Sequence, residues 1–380
     1  MEIEHDHALP PTMIDLFAGC GGVTTGFKAA GYVVLAAVEN DPIAAMTYRL
    51  NHPEVMLCEA DIRRISPQSL GAKLNARALT VLCASPPCQP FSRHNRLKKG
   101  YERADLTLEI PRFAEVLRPA FLFIENVPGL MNDLKIINQL INLLGEIGYK
   151  VAKPKVVNGV YYGIPQFRKR CIILATRLEV PLDIPQPTHL PPQYARRLGK
   201  ATWLTVRDAF AGLPPLQSGE CSPDDPLHRA RRHHPLSLKR LQHISPNGGS
   251  RTCLPDDLQL ACHKRSKRTV GYCDVYGRMD FDKPANTLTT GCTNFTKGRF
   301  AHPVFDRSIT PREAARLQTF PDDYAFFGNY EQISTQIGNA VPVRFAELFA
   351  RHFIKLIEQA KTQCTSHHAS YGYIQPRLAL

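Results

Sequence analysis

From Thr12 to Thr176, short apolar runs alternate with amphipathic ones, and several of the apolar runs stop at a residue of special chemistry. The hardest stop follows Leu79-Thr80-Val81-Leu82-Cys83-Ala84. There Ser85-Pro86-Pro87-Cys88-Gln89-Pro90-Phe91-Ser92 sets one cysteine among three prolines. Each proline fixes its own φ and disfavours helix in the residue before it. The strand must end in a rigid loop at its C-terminal edge, the place where open α/β sheets receive ligands. A free cysteine is commonly core filler, but a thiol held rigidly at that edge can act as a nucleophile. Cys88 is therefore the candidate nucleophile.

The same alternation predicts strands over 12–17, 32–38, 55–58, 78–84, 120–124, 151–157 and 171–176. Helices are predicted over 23–30, 42–51, 111–117 and 133–147, the second opened by Pro42 at a position proline favours. Repeated βα units imply a doubly wound, mainly parallel sheet. The regularity fails after Arg177. A second domain is expected over 178–302, with the first made of 1–177 plus 303–360. Periodicity returns at Thr310-Pro311-Arg312-Glu313, which combines an N-cap, proline at the first helical position and a capping box. A last helix is expected over 343–358, and a frayed tail over 361–380.

Lys and Arg number 47 against 34 Asp and Glu, a net charge of +13, which suits a polyanionic partner. Between His228 and Arg268 stand Arg229, Arg231, Arg232, Lys239, Arg240, Arg251, Lys264, Arg265, Lys267 and Arg268, opposed only by Asp256 and Asp257. That density predicts phosphate contact. The 11 cysteines are scattered with no C-x-x-C pair, which argues against a disulfide framework and fits a reducing cytosol. Cys253, Cys262, His263 and Cys273 match no common zinc spacing, so no metal is expected. No apolar stretch approaches the ~20 residues of a membrane helix. Met1 to Pro11 is polar and does not read as a signal peptide.

Phe17-Ala18-Gly19-Cys20-Gly21-Gly22 joins a strand to a helix, a turn that lets backbone approach a nucleotide-like ligand. Thr24 stands where a third glycine would complete a dinucleotide fingerprint, and no Gly-Lys-Ser/Thr follows. Glu39 ends the second strand, where a carboxylate can accept from ribose hydroxyls. Asp61 follows the third and suits an adenine amino group. Together they describe a nucleoside cofactor without a phosphate cradle, which favours S-adenosylmethionine over NAD. Glu125 ends the apolar run Phe121 to Ile124, so burial is expected to raise its proton affinity and equip it to donate a proton or hydrogen bond. Arg168 and Arg170 are two apart in Gln166-Phe167-Arg168-Lys169-Arg170. An extended segment would turn both to one side, where a guanidinium can stabilise a developing oxyanion.

These segments, in this order, resemble the DNA cytosine-C5 methyltransferases of the bacterial restriction-modification type. Asp15 to Gly22 resembles the cofactor loop, Pro86-Pro87-Cys88-Gln89 the nucleophile loop, Glu125-Asn126-Val127 the acidic motif and Gln166 to Arg170 the arginine motif. Arg307 to Asp322 resembles the helix supporting the recognition domain, and Gln336-Ile337-Gly338-Asn339-Ala340-Val341-Pro342 the last motif. The resemblance implies a doubly wound mixed sheet of the S-adenosylmethionine-dependent type, with 178–302 as an inserted target-recognition domain. It implies Cys88 as the nucleophile toward cytosine C6, Glu125 as the group engaging N3, Arg170 at O2, and Arg168 bracing the nucleophile loop. It implies cofactor contacts at Phe17, Ala18, Gly19, Cys20, Gly21, Glu39, Asn40, Asp61, Ile62, Pro87, Leu106, Asn339 and Ala340.

DNA contacts are implied at Gln89, Ser92, Arg93, Arg96, Thr287, Leu288, Lys297 and Arg299. A basic loop over 93–103 would close on the DNA. The partners implied are double-stranded DNA, reached by base flipping, and a cognate restriction endonuclease in function. The protein is expected to be a monomer in a bacterial cytoplasm. Two rivals share the architecture, an RNA cytosine methyltransferase and a non-catalytic DNA binder. The basic recognition segment favours duplex DNA, and the presence of Cys88, Glu125 and Arg168 favours catalysis.

Overall fold

The computed structural model describes residues 9–72, 78–87, 101–260 and 274–370, with Tyr101–Ala104 and the last seven of these positions described by backbone alone. The chain packs as two units. The first comprises 1–157, 170–186 and 346–380, and the second 158–169 and 187–345. Residues 158–169 and 303–345 thus group with the second unit, whereas the sequence boundaries put them in the first.

The first unit is built on one mixed sheet. Its strands are β1 (Thr12–Leu16), β2 (Val33–Glu39), β3 (Met56–Glu59), β4 (Val81–Ala84), β5 (Phe121–Asn126), β6 (Lys150–Val151), β7 (Lys155–Asn158) and β8 (Lys169–Thr176). The order is β3-β2-β1-β4-β5-β8-β6, with β7 also pairing β8. β1 to β5 are mutually parallel, while β8 runs antiparallel to β5 and β6. The strand order reverses between β1 and β4, so their C-terminal ends form the crevice that receives ligands in such sheets. The sheet is mixed because the only helical element between β7 and β8 is the short turn Gly159–Tyr162, and a parallel return needs a crossover of about a dozen or more residues.

The helices are α1 (Gly22–Ala29), α2 (Pro42–Asn51), α3 (Pro67–Gly71), α4 (Ile110–Leu117) and α5 (Leu134–Glu146). Asp41 caps α2 by accepting from the Ile43 and Ala44 N–H groups, with Pro42 at its first position. One sheet face, carrying Ile14, Leu16, Leu82, Ala84, Leu122 and Ile124, packs with Leu70, Phe113, Leu117, Ile136 and Leu140 in a single core. On the other face Phe121 and Phe123 meet Phe353 and Phe349 of the C-terminal helix at ring separations of 5.0 and 4.8 Å. The strand expected over 151–157 is broken at Pro154, which cannot donate to a ladder. The C-terminal helix runs Val343–Ser370, well past the expected end at 358. The first glycine after Val343 is Gly372, so nothing in 359–370 breaks it.

In the second unit the capping box at Thr310 forms as the sequence predicts. Its hydroxyl accepts from the Glu313 N–H, and the Glu313 carboxylate accepts from the Thr310 N–H. Glu313 is also gripped at both oxygens by Arg307 at 2.8 Å, with all three side chains buried. Helix Tyr330–Asn339 lies so close to the 289–290 backbone that a Cβ on Gly338 would stand 2.3 Å from the Thr289 carbonyl oxygen.

Candidate active site

The crevice is assembled from strand ends in register. Leu16 of β1 pairs with Val38 of β2 and Ala84 of β4, and Ala84 pairs with Ile124 of β5. The residues one step beyond these pairs, Phe17, Glu39, Ser85 and Glu125, therefore lie at one edge, the first and third just past their strands and the other two within the strand ends. Two backbone bonds fix the turn there, from Ala18 N–H to Val38 O and from Ser85 N–H to Leu16 O.

Phe17 turns the chain with φ of 61°, a left-handed conformation that costs a bulky residue roughly 1–3 kcal/mol. Gly19 and Gly21 also take positive φ, which glycine tolerates. Gly21 stands at the N-cap of α1 with no side-chain cap, and among the described residues nothing beyond its chain neighbours lies within 4 Å of a Cβ placed on Gly19. Glu39 ties this turn to β2. Its Oε2 accepts from the Gly19 N–H at 2.7 Å, and its Oε1 accepts from Asn40 and Asp41 at 2.9 and 2.7 Å. The role expected for Glu39 was toward ribose, and three backbone donors share that carboxylate. A carboxylate has about four acceptor positions, so one remains on Oε2. Open space at Gly19, a helix start without a side-chain cap and a spare carboxylate acceptor fit a nucleoside.

Other expected cofactor positions are placed unevenly. Phe17 and Leu106 pack against the same core, and Ile62 is buried beside them. Asp61 caps the turn Ile62–Arg64 and accepts from the Arg63 backbone and guanidinium at both oxygens. Those bonds with Arg63 hold its carboxyl down at about 2. The structure thus gives to Arg63 the acceptor that the sequence reading reserved for adenine. Asn339 and Ala340 lie in the second unit, at the end of helix Tyr330–Asn339.

Glu125 has a partner that the spacing did not announce. It pairs in register with Ile172 across the antiparallel β5–β8 ladder, and Arg170, two residues away, shares its face. Arg170 Nε stands 2.7 Å from Glu125 Oε1, with the side chains 12 % and 8 % exposed. Charge and proximity hold this pair. Oε1 makes no aligned hydrogen bond, so a buried acceptor retains capacity. Asn126, quoted only as part of a motif, has a job of its own. Its Nδ2 donates to Pro86 O at 3.2 Å and ties the proline loop to β5.

Arg168 does not share a side with Arg170, because it falls in a break between strand Gln166–Phe167 and β8. Its guanidinium is buried in the second unit. It donates to Leu288 O, Gly338 O and Ala340 O at 3.0, 3.1 and 2.8 Å. Arg168 thus clamps the last motif, and most of the loop it is expected to brace lies outside the described residues. Two expected DNA contacts are engaged within the second unit. Leu288 is buried, and Arg299 is engaged by Asp274, Gly248 O, Gly249 O and Arg278 O. Thr287 donates its hydroxyl to Phe167 O, while Lys297 is exposed.

Cys88, Gln89, Ser92, Arg93 and Arg96 lie outside the described residues, as do Cys262, His263 and Cys273. Among the described residues, the buried cysteines Cys20, Cys83 and Cys171 are poor rivals for Cys88. Burial pushes the Cys20 and Cys171 thiols up to about 12, and Cys83 well above its usual value. Sequence reasoning also gave no role to Asp15. It is fully buried, with Oδ2 accepting from the Thr24 hydroxyl at 2.9 Å and Oδ1 unbonded. A lone carboxylate between Ile14 and Leu16 inside a parallel strand was the available signal.

The family model for C-5 cytosine-specific DNA methylases matches residues 11–355. The type II methylase M.HgiDII of Herpetosiphon aurantiacus is 36% identical over 352 residues, spanning 91% of this chain and 96% of the relative. The type II methyltransferase M1.HphI of Haemophilus parahaemolyticus is 31% identical, over 91% of this chain and 87% of its own. Among solved structures, a prophage-encoded DNA modification methyltransferase of E. coli matches with a TM-score of 0.69 at 25% identity, covering 92% of this chain and 99% of that one. Spodoptera frugiperda DNMT2 matches with a TM-score of 0.59 at 17% identity over 90% and 99%, a likeness of fold.

Proposed function

The chain belongs to the C-5 cytosine-specific DNA methylase family, and on that premise we propose how its own residues divide the work. The reaction is methylation of cytosine C5 in DNA, and S-adenosylmethionine supplies the methyl group. Phe17 to Gly21, Glu39, Ile62, Pro87 and Leu106 would hold the cofactor, and Asn339 and Ala340 are further proposed contacts. Cytosine C5 is a weak nucleophile until the ring becomes an enamine. Cys88 would make it one by attacking C6 of a base flipped from the duplex, at a cost of roughly a few kcal/mol met by contacts elsewhere. Glu125 would engage N3 as the ring gains electron density, and Arg170 would hold that carboxylate in position and reach toward O2. Loss of the C5 proton and elimination of Cys88 would release 5-methylcytosine.

One observation carries this assignment. The buried Glu125 Oε1 keeps hydrogen-bonding capacity at the strand end beside Pro86, the residue Asn126 ties down. Target recognition is assigned to 178–302, which falls in the second unit from Pro187 onward. Gln89, Ser92, Arg93, Arg96, Thr287 and Lys297 are the proposed DNA contacts. A monomer working in a bacterial cytoplasm beside a cognate endonuclease fits the type II relatives. Among the described residues no helix is long and apolar enough to cross a membrane. The test is Cys88→Ala, which should abolish methyl transfer and leave S-adenosylmethionine affinity unchanged. Appreciable methylation by that variant would remove Cys88 from the mechanism.

A further inference from the structure

The arginines of the basic run that begins at Arg229 differ in burial within the second unit. Arg240 and Arg251 are buried, and Arg240 is committed to Leu258 O and the Tyr276 hydroxyl at 2.8 and 3.3 Å. Arg229 and Arg231 are only half-buried. They line a cavity of about 400 Å³ together with Gly328, Asn329, Tyr330 and Glu331.

Both guanidinium groups lie over one ring, with their carbons 5.5 and 5.0 Å from the Tyr330 centroid. An aromatic face attracts each cation, but two like charges on one ring repel each other. Arg231 is relieved by an ion pair with Glu331. Arg229 has no carboxylate or carbonyl acceptor among the described residues, and the Nε atoms of both arginines are buried without a hydrogen bond. Buried donors of a cation left without acceptors are costly and mark a place where an anion is missing. A third cation stands near. The Lys297 stem lies over Gly291, where a Cβ would meet Lys297 Cδ at 2.2 Å, and its charge acts on Glu331. Three cations therefore face one carboxylate.

We propose that Arg229 and Arg231, spread on Tyr330, seat a backbone phosphate of the DNA duplex. The proposal rests on the methylase reading for the identity of the polyanion. The ring closes one side of each guanidinium, and the fork of a guanidinium matches phosphate oxygens. The site positions the duplex and reads no base.

The test is fluorescence anisotropy of full-length protein with a labelled duplex of mixed sequence, over a range of salt. Arg229→Gln and Arg231→Gln should each weaken binding about tenfold near 0.15 M salt, as expected for a charged hydrogen bond. They should also make the dependence of log Kd on log salt shallower by about 1. Arg229→Lys should recover the slope. S-Adenosylmethionine affinity should stay at the wild-type value, which separates loss of the site from loss of the fold. Wild-type affinity and slope in Arg229→Gln would overturn the proposal. If that variant does not fold, Lys297→Gln at the exposed third cation decides, and an unchanged slope there overturns it as well. Methyl transfer to the same duplex by the wild type is measured in parallel. Its absence counts against the methylase reading, and its presence with salt-indifferent variants counts against this site alone.

Discussion

Arg170 Nε and Glu125 Oε1 meet 2.7 Å apart because the two residues are diagonal neighbours on one face of the antiparallel β5–β8 pair. The antiparallel strand at the end of an otherwise parallel run thus delivers a guanidinium to the carboxylate that the adjacent parallel strand exposes. Glu125→Gln keeps the size and removes the charge. It should lower turnover at saturating DNA by about 10²-fold or more and leave S-adenosylmethionine affinity near wild type. Arg170→Gln leaves a buried carboxylate without its cation, at roughly 3–5 kcal/mol. The double variant should be less destabilised than the sum of the singles, by about 0.5–3 kcal/mol in a urea titration. Strict additivity would contradict the pairing.

Gly338→Ala tests the close approach in the second unit. The new Cβ would meet the Thr289 carbonyl oxygen at 2.3 Å, and backbone cannot swing aside as a flexible side chain does. Overpacking of this kind costs typically 1–3 kcal/mol. It should also disturb the Gly338 and Ala340 carbonyls that Arg168 holds. A lowered urea midpoint together with weaker cofactor binding is the expected result; a midpoint equal to wild type would refute it.

How much of this was legible in the sequence varies with the range of the interaction that decides each feature. Pro42 and Thr310 set their helix starts through local bonds, and both starts lie where the sequence puts them. The strand ends at Leu16 and Ala84 were legible because a glycine turn and a proline pair stop the ladder. The partnership of Glu125 with Arg170 was not, because it depends on the register of strands some 45 residues apart. That Arg168 and Arg170 part company has a local reason. Alternation holds only inside an unbroken strand, and a one-residue break turned the Arg168 guanidinium onto three carbonyls. Arg299 and Asp61 read as free charges because composition shows a charge and not the acceptor or donor that occupies it.

Asp15 gives stability a pH signature. Burial raises its carboxyl to about 7 from about 3.8, with Glu39 adding a smaller push and Thr24 opposing. A group raised in the folded state contributes stability below its unfolded value and loses it as pH climbs through about 7. Burial lowers His52 and His233 to about 4 and His302 to about 3, so their contribution is present above the ordinary histidine range and lost as pH falls through those values. Asp15→Asn removes only the first effect. Its urea midpoint should gain on wild type between pH 5 and pH 8, values set by the Asp15 shift. Parallel curves for the two proteins would contradict the assignment.

Glu313→Gln probes the capping box and its arginine. The substitution leaves Arg307 buried with its cation uncompensated, which costs roughly 3–5 kcal/mol when one partner of a buried pair is removed. Replacing both partners, as Arg307→Met with Glu313→Gln, should recover part of that loss. A single variant as stable as wild type would show that the pair carries no weight.

The central claim is tested most directly by mass spectrometry of nucleosides after incubating the purified protein with S-adenosylmethionine and unmethylated DNA, with tRNA in a parallel reaction. The account predicts 5-methyldeoxycytidine in the DNA, none in the tRNA and none from Cys88→Ala. Methylation of the tRNA alone, or of DNA by the Cys88→Ala variant, would contradict it.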